Sequence, residues 1–317
     1  MIRRLALLAA GIVVGLVIAE VGLEQLHPLW HVPYPPRCSR PRLYEEFDPY
    51  GYRLRPHIRL QDEYPPGHPT TVTSNADGFR GSRDLHATDA RRRIVVLGDS
   101  MVFGSGVDED ERFTERLEAA EPARRVDNLG MVGYGPDLML RALEQVGVAL
   151  EPAIVVMTIF SHDVYRVVPE ASGVGFAVPR FVLVEGRLST VPYPSRAAWQ
   201  RLALVEAARY AWSRYTSATF ALNAAILDRY RALAAEHGFV PAIVFAPPRS
   251  ERFDDGRRAR WLVAYAAAHG TPFLDLTEPL RAAGLDRTYI PADAHWNATG
   301  HQVVADALRP FLAGLVQ

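Results

Sequence analysis

The stretch VVLGDSMVFGSGV, residues 95–107, carries a run of branched apolar residues into an abrupt Gly-Asp-Ser corner, followed by small residues and glycines. The apolar run has the length and composition of a buried strand. The corner then reads in two ways. A strand turns into a helix there, with Asp99 or Ser100 available to cap it. Alternatively, Ser100 stands as a nucleophile at the carboxyl end of that strand.

Downstream the same pattern repeats. Short apolar runs at 94–97, 126–129, 154–159, 241–245 and 272–274 alternate with helical patterns at 113–121, 136–147, 197–237 and 257–269, and a last helix begins near residue 298. Continuous apolar strands separated by helices predict a parallel sheet covered on both faces. Right-handed crossovers then bring every strand's carboxyl end to one edge, where ligands bind. An insertion at about 166–220 separates the third strand from the fourth. Within it PRFVLVEGRLSTVPYP alternates like a hairpin, with Glu185-Gly186 as its turn.

Upstream, residues 26–92 read as an irregular extension of the 93–317 domain. Prolines are dense and periodicity is weak, yet Trp30, Tyr34, Tyr44, Phe47, Tyr50, Tyr52 and Tyr64 are too many aromatics for a solvated linker. The segment is therefore expected to pack along the main domain. SNADGFRG, residues 74–81, reads as a turn bending at Asp77-Gly78, with Phe79 as its anchor. Residues 1–25 begin with MIRR and continue as an uncharged apolar run from Leu5 to Ala19, ended by Glu20. Basic residues before such a run predict a signal peptide or signal anchor that sends the remainder out of the cytoplasm.

Composition removes whole classes of chemistry. Of 317 residues 49% are hydrophobic, and the formal net charge of −1 gives no field to attract nucleic acid. All 35 basic residues are arginine. Without lysine there is no Schiff base, no Ser-Lys dyad and no P-loop. Neither G-x-G-x-x-G nor G-x-S-x-G occurs, and the single cysteine, Cys38, permits no internal disulfide or thiolate metal cluster.

Four chemically suggestive loops fall at the predicted carboxyl ends: the Ser100 corner, NLGMVGYG (128–135), FSHDV (160–164) and DAHWNATGH (293–301). Serine, acid and histidine are the inventory of hydroxyl-nucleophile catalysis, and Asp293 and His295, two apart in a loop, can face one cleft. Each has a plainer reading: Ser100 as a cap, His295 as a satisfied polar residue, Asn297 as the N-cap of the last helix or as part of a glycosylation sequon. His57, His68 and His86 carry no pattern.

Together these blocks resemble the SGNH/GDSL hydrolases, from about residue 93 to the C-terminus. The resemblance implies a three-layer α/β/α sandwich, flavodoxin-like, with a five-stranded parallel sheet. It implies Ser100 as nucleophile, Asp293 and His295 as acid and base, and an oxyanion hole from Ser100, Gly133 and the third block. There the family places Gly-x-Asn-Asp, whereas this chain has His162 in place of the amide; a neutral imidazole can also donate one N–H. The last block is D-x-H rather than the common D-x-x-H, with Ala292 at the usual acid position and Asp286 as a possible substitute acid. The N-terminus and SNADGFRG resemble an exported, membrane-anchored bacterial subgroup. The implied reaction is ester cleavage or acyl transfer through an acyl-serine, without metal or other cofactor. The expected substrate is an O-acyl group, above all O-acetyl, on an extracytoplasmic polysaccharide or small ester. The alternative is a non-catalytic carbohydrate-binding protein on this fold, which His162 favours and the retained Ser100, Asp293 and His295 oppose.

Overall fold

A computed structural model describes residues 2–26, 38–48, 50–167, 174–176, 178–192, 197–249 and 256–315. Trp30 and Tyr34 of the extension, and parts of the insertion, lie outside the described residues.

The helices are α1 (Ile2–Leu26), α2 (Ser100–Phe103), α3 (Phe113–Ala120), α4 (Pro136–Ala142), α5 (Asp163–Arg166), α6 (Ala203–Tyr215), α7 (Ser217–His237), α8 (Arg257–His269), α9 (Thr277–Ala283), α10 (Leu285–Thr288) and α11 (Ala298–Gly314). The extension holds two antiparallel hairpins, β1 (Tyr44–Phe47) with β2 (Gly51–Leu54) and β3 (Arg59–Asp62) with β4 (Thr70–Thr73). The central sheet is built from β5 (Arg92–Leu97), β6 (Arg124–Asn128), β7 (Ile154–Phe160), β10 (Val240–Ala246) and β11 (Phe273–Asp275). The insertion contributes the hairpin β8 (Arg180–Val184) and β9 (Arg187–Val191).

All five central strands are parallel, in the order β11-β10-β7-β5-β6. Counted along the sheet this is 2-1-3-4-5, the flavodoxin-like order, whose chain direction reverses between its first and third strands. Those strands are β5 and β7, so the crevice lies where Ser100 and the third block emerge. β7 is buried at all seven positions, as a central strand covered on both faces must be.

Two cores flank the sheet. Val95, Leu97, Val155, Met157, Ile243 and Phe245 face α4, α7 and α8, and the extension joins this side. Ile94, Val96, Ile154, Val156 and Val244 face α3, α9 and α11 on the other. These three layers confirm the α/β/α architecture.

The extension is more regular than its composition suggested. Among its ties to the domain is a reciprocal pair of tyrosines: Tyr52 donates its hydroxyl to the Val132 carbonyl at 2.6 Å, and Tyr134 donates to the Tyr52 carbonyl at 2.6 Å. Their rings meet edge-on at 5.2 Å. Both hydroxyls are fully buried and both are satisfied, as burial requires. In the predicted turn, Asn75 Oδ1 accepts from the Asp77 and Phe79 N–H groups, and Phe79 is buried.

Candidate active site

The β5 corner is built by Asp99, not by Ser100, as the cap: its Oδ1 accepts from the Met101 N–H at 2.9 Å. Ser100 is thereby the first residue of α2, with its hydroxyl released from capping and turned elsewhere. The second block packs against this corner. The Met131 N–H donates to the Gly98 carbonyl at 3.1 Å. A Cβ on Gly130 would stand 2.6 Å from the Phe103 nitrogen, so no larger residue fits. Gly133 has φ +83°, a left-handed turn that glycine adopts without strain.

The last block comes to the same place. His295 Nε2 lies 2.8 Å from Ser100 Oγ, and His295 Nδ1 lies 2.5 Å from Asp293 Oδ1. The same Oδ1 accepts the His295 backbone N–H at 2.8 Å, so one carboxylate oxygen fixes both the ring and the chain beneath it. With Nδ1 donating to the carboxylate, Nε2 is left as the acceptor for the serine proton. Burial raises the Asp293 pKa, but the hydrogen bonds from His295 outweigh it and hold the carboxyl below its ordinary value. Ser100 and His295 are both buried. In this short D-x-H block Ala292, just before Asp293, takes a left-handed conformation, φ +59°. Asp286 does not approach the histidine. Its exposed side chain pairs with Arg249, which also donates to the Ile290 carbonyl.

The helical readings of the last block divide between its residues. Asn297 is the N-cap of α11, accepting from the Gly300 N–H at 3.0 Å. Trp296 and His301 belong to the core. His301 stacks on Phe113 at 5.9 Å, and its Nδ1 accepts the Phe113 N–H. Burial, with Arg112 and Arg116 nearby, holds its pKa well below the ordinary histidine value.

In the third block, His162 is exposed at the carboxyl end of β7, its ring stacked on Phe160 at 5.6 Å. Asp163 beside it is buried and accepts the Phe160 N–H at 2.9 Å. Burial and the charge of Asp99 push its pKa well up, against the opposing pull of Arg166.

Two participants carry no sequence signal of their own. Arg166 donates from one Nη1 to Asp99 at 2.9 Å, to Asp163 at 2.6 Å and to the Tyr134 carbonyl at 3.2 Å. It thus joins the first, second and third blocks under the cleft. Tyr64, from the extension, sets its ring edge-on to His295 at 5.5 Å, and the Arg40 guanidinium lies 4.6 Å from the Tyr64 centroid. The extension therefore forms one wall beside the imidazole. Among the described residues, no group of three or more His, Cys, Asp or Glu could hold a metal ion.

A buried serine hydroxyl joined through an imidazole to a carboxylate, at the carboxyl edge of a parallel sheet, is the arrangement used by serine hydrolases. The chain belongs to the GDSL-like lipase/acylhydrolase family, whose pattern matches residues 96–303, more than half of its length. Comparison with curated proteins gave no match. Similar solved structures include the lipase/acylhydrolase from Enterococcus faecalis, 17% identical over 70% of this chain and 96% of that one, with a TM-score of 0.45. The psychrotrophic esterase EstA from Pseudoalteromonas sp., inhibited by monoethylphosphonate, is 12% identical over 70% and 97%, with a TM-score of 0.44. A two-domain esterase active on acetylated mannans is 13% identical over 71% of this chain and 50% of that one, with a TM-score of 0.41.

Proposed function

We propose that this chain is an extracytoplasmic, membrane-anchored serine esterase or acyltransferase acting on O-acyl groups, with Ser100 as nucleophile, His295 as base and acid, and Asp293 as orienting carboxylate. The observation that carries this is the unbroken Ser100–His295–Asp293 chain of hydrogen bonds at 2.8 and 2.5 Å.

The steps follow from that geometry. Ser100 Oγ attacks the acyl carbon as its proton passes to His295 Nε2. Asp293 stabilises the imidazolium. The Ser100 and Gly133 N–H groups and the His162 ring N–H are the proposed donors to the oxyanion. Collapse expels the alcohol, which leaves with the proton from His295, and an acyl-Ser100 remains. Water or a second hydroxyl then attacks, deprotonated by the same histidine. Water gives hydrolysis; a sugar hydroxyl gives transfer.

The substrate class proposed is an O-acetylated glycan of the cell envelope or a small ester. Its support is the family and the apolar helix at Ile2–Gln25, which is long enough to cross a membrane. The domain reading is retained with it: an anchor at 1–25, the extension at 26–92, and the hydrolase domain at 93–317 with its insertion at about 166–220.

A p-nitrophenyl acetate assay tests the chemistry. Ser100→Ala lowers turnover by about 10⁴-fold or more, as loss of a nucleophile does. His162→Ala in the same assay lowers it about 10²–10³-fold if its ring donates to the oxyanion. Wild-type rates in the first variant would refute the nucleophile; wild-type rates in the second would remove His162 from the hole. Alkaline phosphatase fused after α1 should be active, and an inactive fusion would overturn the export reading.

A further inference from the structure

α6 is a helix with one buried face and one bare apolar face. Ala203 and Glu206 point inward, while Ala208, Ala211 and Trp212 are exposed. Leu204, Val205, Ala208 and Trp212, spaced at three and four residues, line a shallow apolar groove together with Arg209. In the turn just before the helix, Trp199 and Leu202 are also exposed. Trp212 is 70% exposed and Trp199 62%, so this is a patch of large side chains that none of the described residues covers.

What fixes its occupant is Glu20. This acid ends the apolar run of α1, and its two carboxylate oxygens accept the N–H groups of Ala203 and Leu204 at 2.7 and 3.0 Å. Those are first-turn N–H groups of α6, which have no partner within the helix and favour an anion. The depth of the α6 N-terminus is thus tied to the depth of Glu20 along α1. At 1.5 Å per residue, Glu20 stands roughly 24 Å from Arg4 along the helix axis. With Arg4 at one boundary of a hydrocarbon core about 30 Å thick, Glu20 falls close to the opposite boundary. The α1 surface around the run is itself entirely unburied. The bare faces of α1 and α6 therefore meet at the boundary, where tryptophan is favoured because its ring is apolar and its N–H is wet.

We propose that α6, with Trp199 and Leu202 ahead of it, is an interfacial membrane element that rests in the headgroup–acyl boundary beside α1 and holds the catalytic domain against the bilayer. This rests on the reading that α1 spans the membrane.

The test uses the full chain in phosphatidylcholine–phosphatidylglycerol vesicles. The background is Cys38→Ser, with a nitroxide on Val13→Cys in α1 or on Ala208→Cys in α6. Collision with oxygen and with a water-soluble nickel chelate is compared at each position. Oxygen should dominate strongly at 13 and several-fold over a freely aqueous nitroxide at 208. Glu20→Ala should move 208 toward the chelate and leave 13 unchanged. Oxygen dominance at 13 with chelate dominance at 208 would overturn the α6 proposal while leaving the anchor standing. Chelate dominance at 13 would overturn the anchor, and α6 with it. Exclusion of both reagents from 208 would mean that protein covers the patch, which also overturns a lipid occupant.

Discussion

Arg166 is the side chain on which the buried charges of the cleft depend. Asp99 and Asp163 both lie almost fully buried, and one guanidinium, 30% exposed, ion-pairs with both. Removing the cation leaves two carboxylates facing each other without compensation. Arg166→Met should cost about 3 kcal/mol, the lower end for a broken buried ion pair because the arginine is partly exposed. The loss should depend on pH with a definite sign. Asp163 already has a folded-state pKa above its ordinary value, and without Arg166 it rises further. A raised carboxyl stabilises the fold while protonated and loses that contribution as pH climbs through the folded value. The deficit of the variant, read by urea denaturation, should therefore be larger at pH 8 than at pH 5, and adding Asp163→Asn should recover part of it. A deficit that is small and flat with pH would remove Arg166 from this role. No sequence pattern announced the role of this residue: Asp163 stands three positions before it, but Asp99, which it joins to Asp163, lies 67 positions away. Tyr64 reads only as one of the aromatics that pack the extension on the domain, because His295, beside which it stands, is distant in the sequence. Ser100, Asp293 and His295 were visible because each sits in a short motif whose spacing follows from local turn geometry.

At the scale of elements, legibility follows burial. The five sheet strands read clearly because strands covered on both faces are continuous apolar runs. The hairpin β8–β9 read from Glu185-Gly186, whose positive φ values of 50° and 77° suit a tight two-residue turn. The extension's hairpins did not. YEEF, RLQD and TTVT are short and largely polar, and they are stabilised by packing on distant residues. The stretch 197–237 reads as continuous helix, yet it divides into a 3₁₀ turn, α6 and α7. The break falls at Thr216, with φ −104° and ψ 157°, where neither glycine nor proline marks it. α11 carries its own prediction. Its buried His301 is held neutral, with a folded pKa well below the unfolded value near ~6.5. The unfolded chain then binds one proton more, so stability falls as pH drops below that value. The slope approaches about 1.4 kcal/mol per pH unit. His301→Phe, which keeps the ring against Phe113 and Trp296, should flatten this part of the stability–pH curve. An unchanged slope between pH 6.5 and 5 would show that His301 does not titrate on unfolding.

At the scale of the whole molecule, the fold solves a problem of distance. Ser100 and His295 are 195 positions apart, and only the common carboxyl edge of a parallel sheet brings them within one hydrogen bond. The switch point between β5 and β7 falls there, and the extension sets Tyr64 beside His295. The central claim is that Ser100 is the one hydroxyl this architecture activates. A fluorophosphonate probe reads it directly, since it bonds covalently to a serine only where a neighbouring base takes up the proton. Intact-mass and peptide analysis of the labelled full-length chain should find one adduct, on Ser100, lost on heat denaturation before labelling and greatly slowed in His295→Ala. A folded protein that takes no label, or takes it on another serine, would contradict the account.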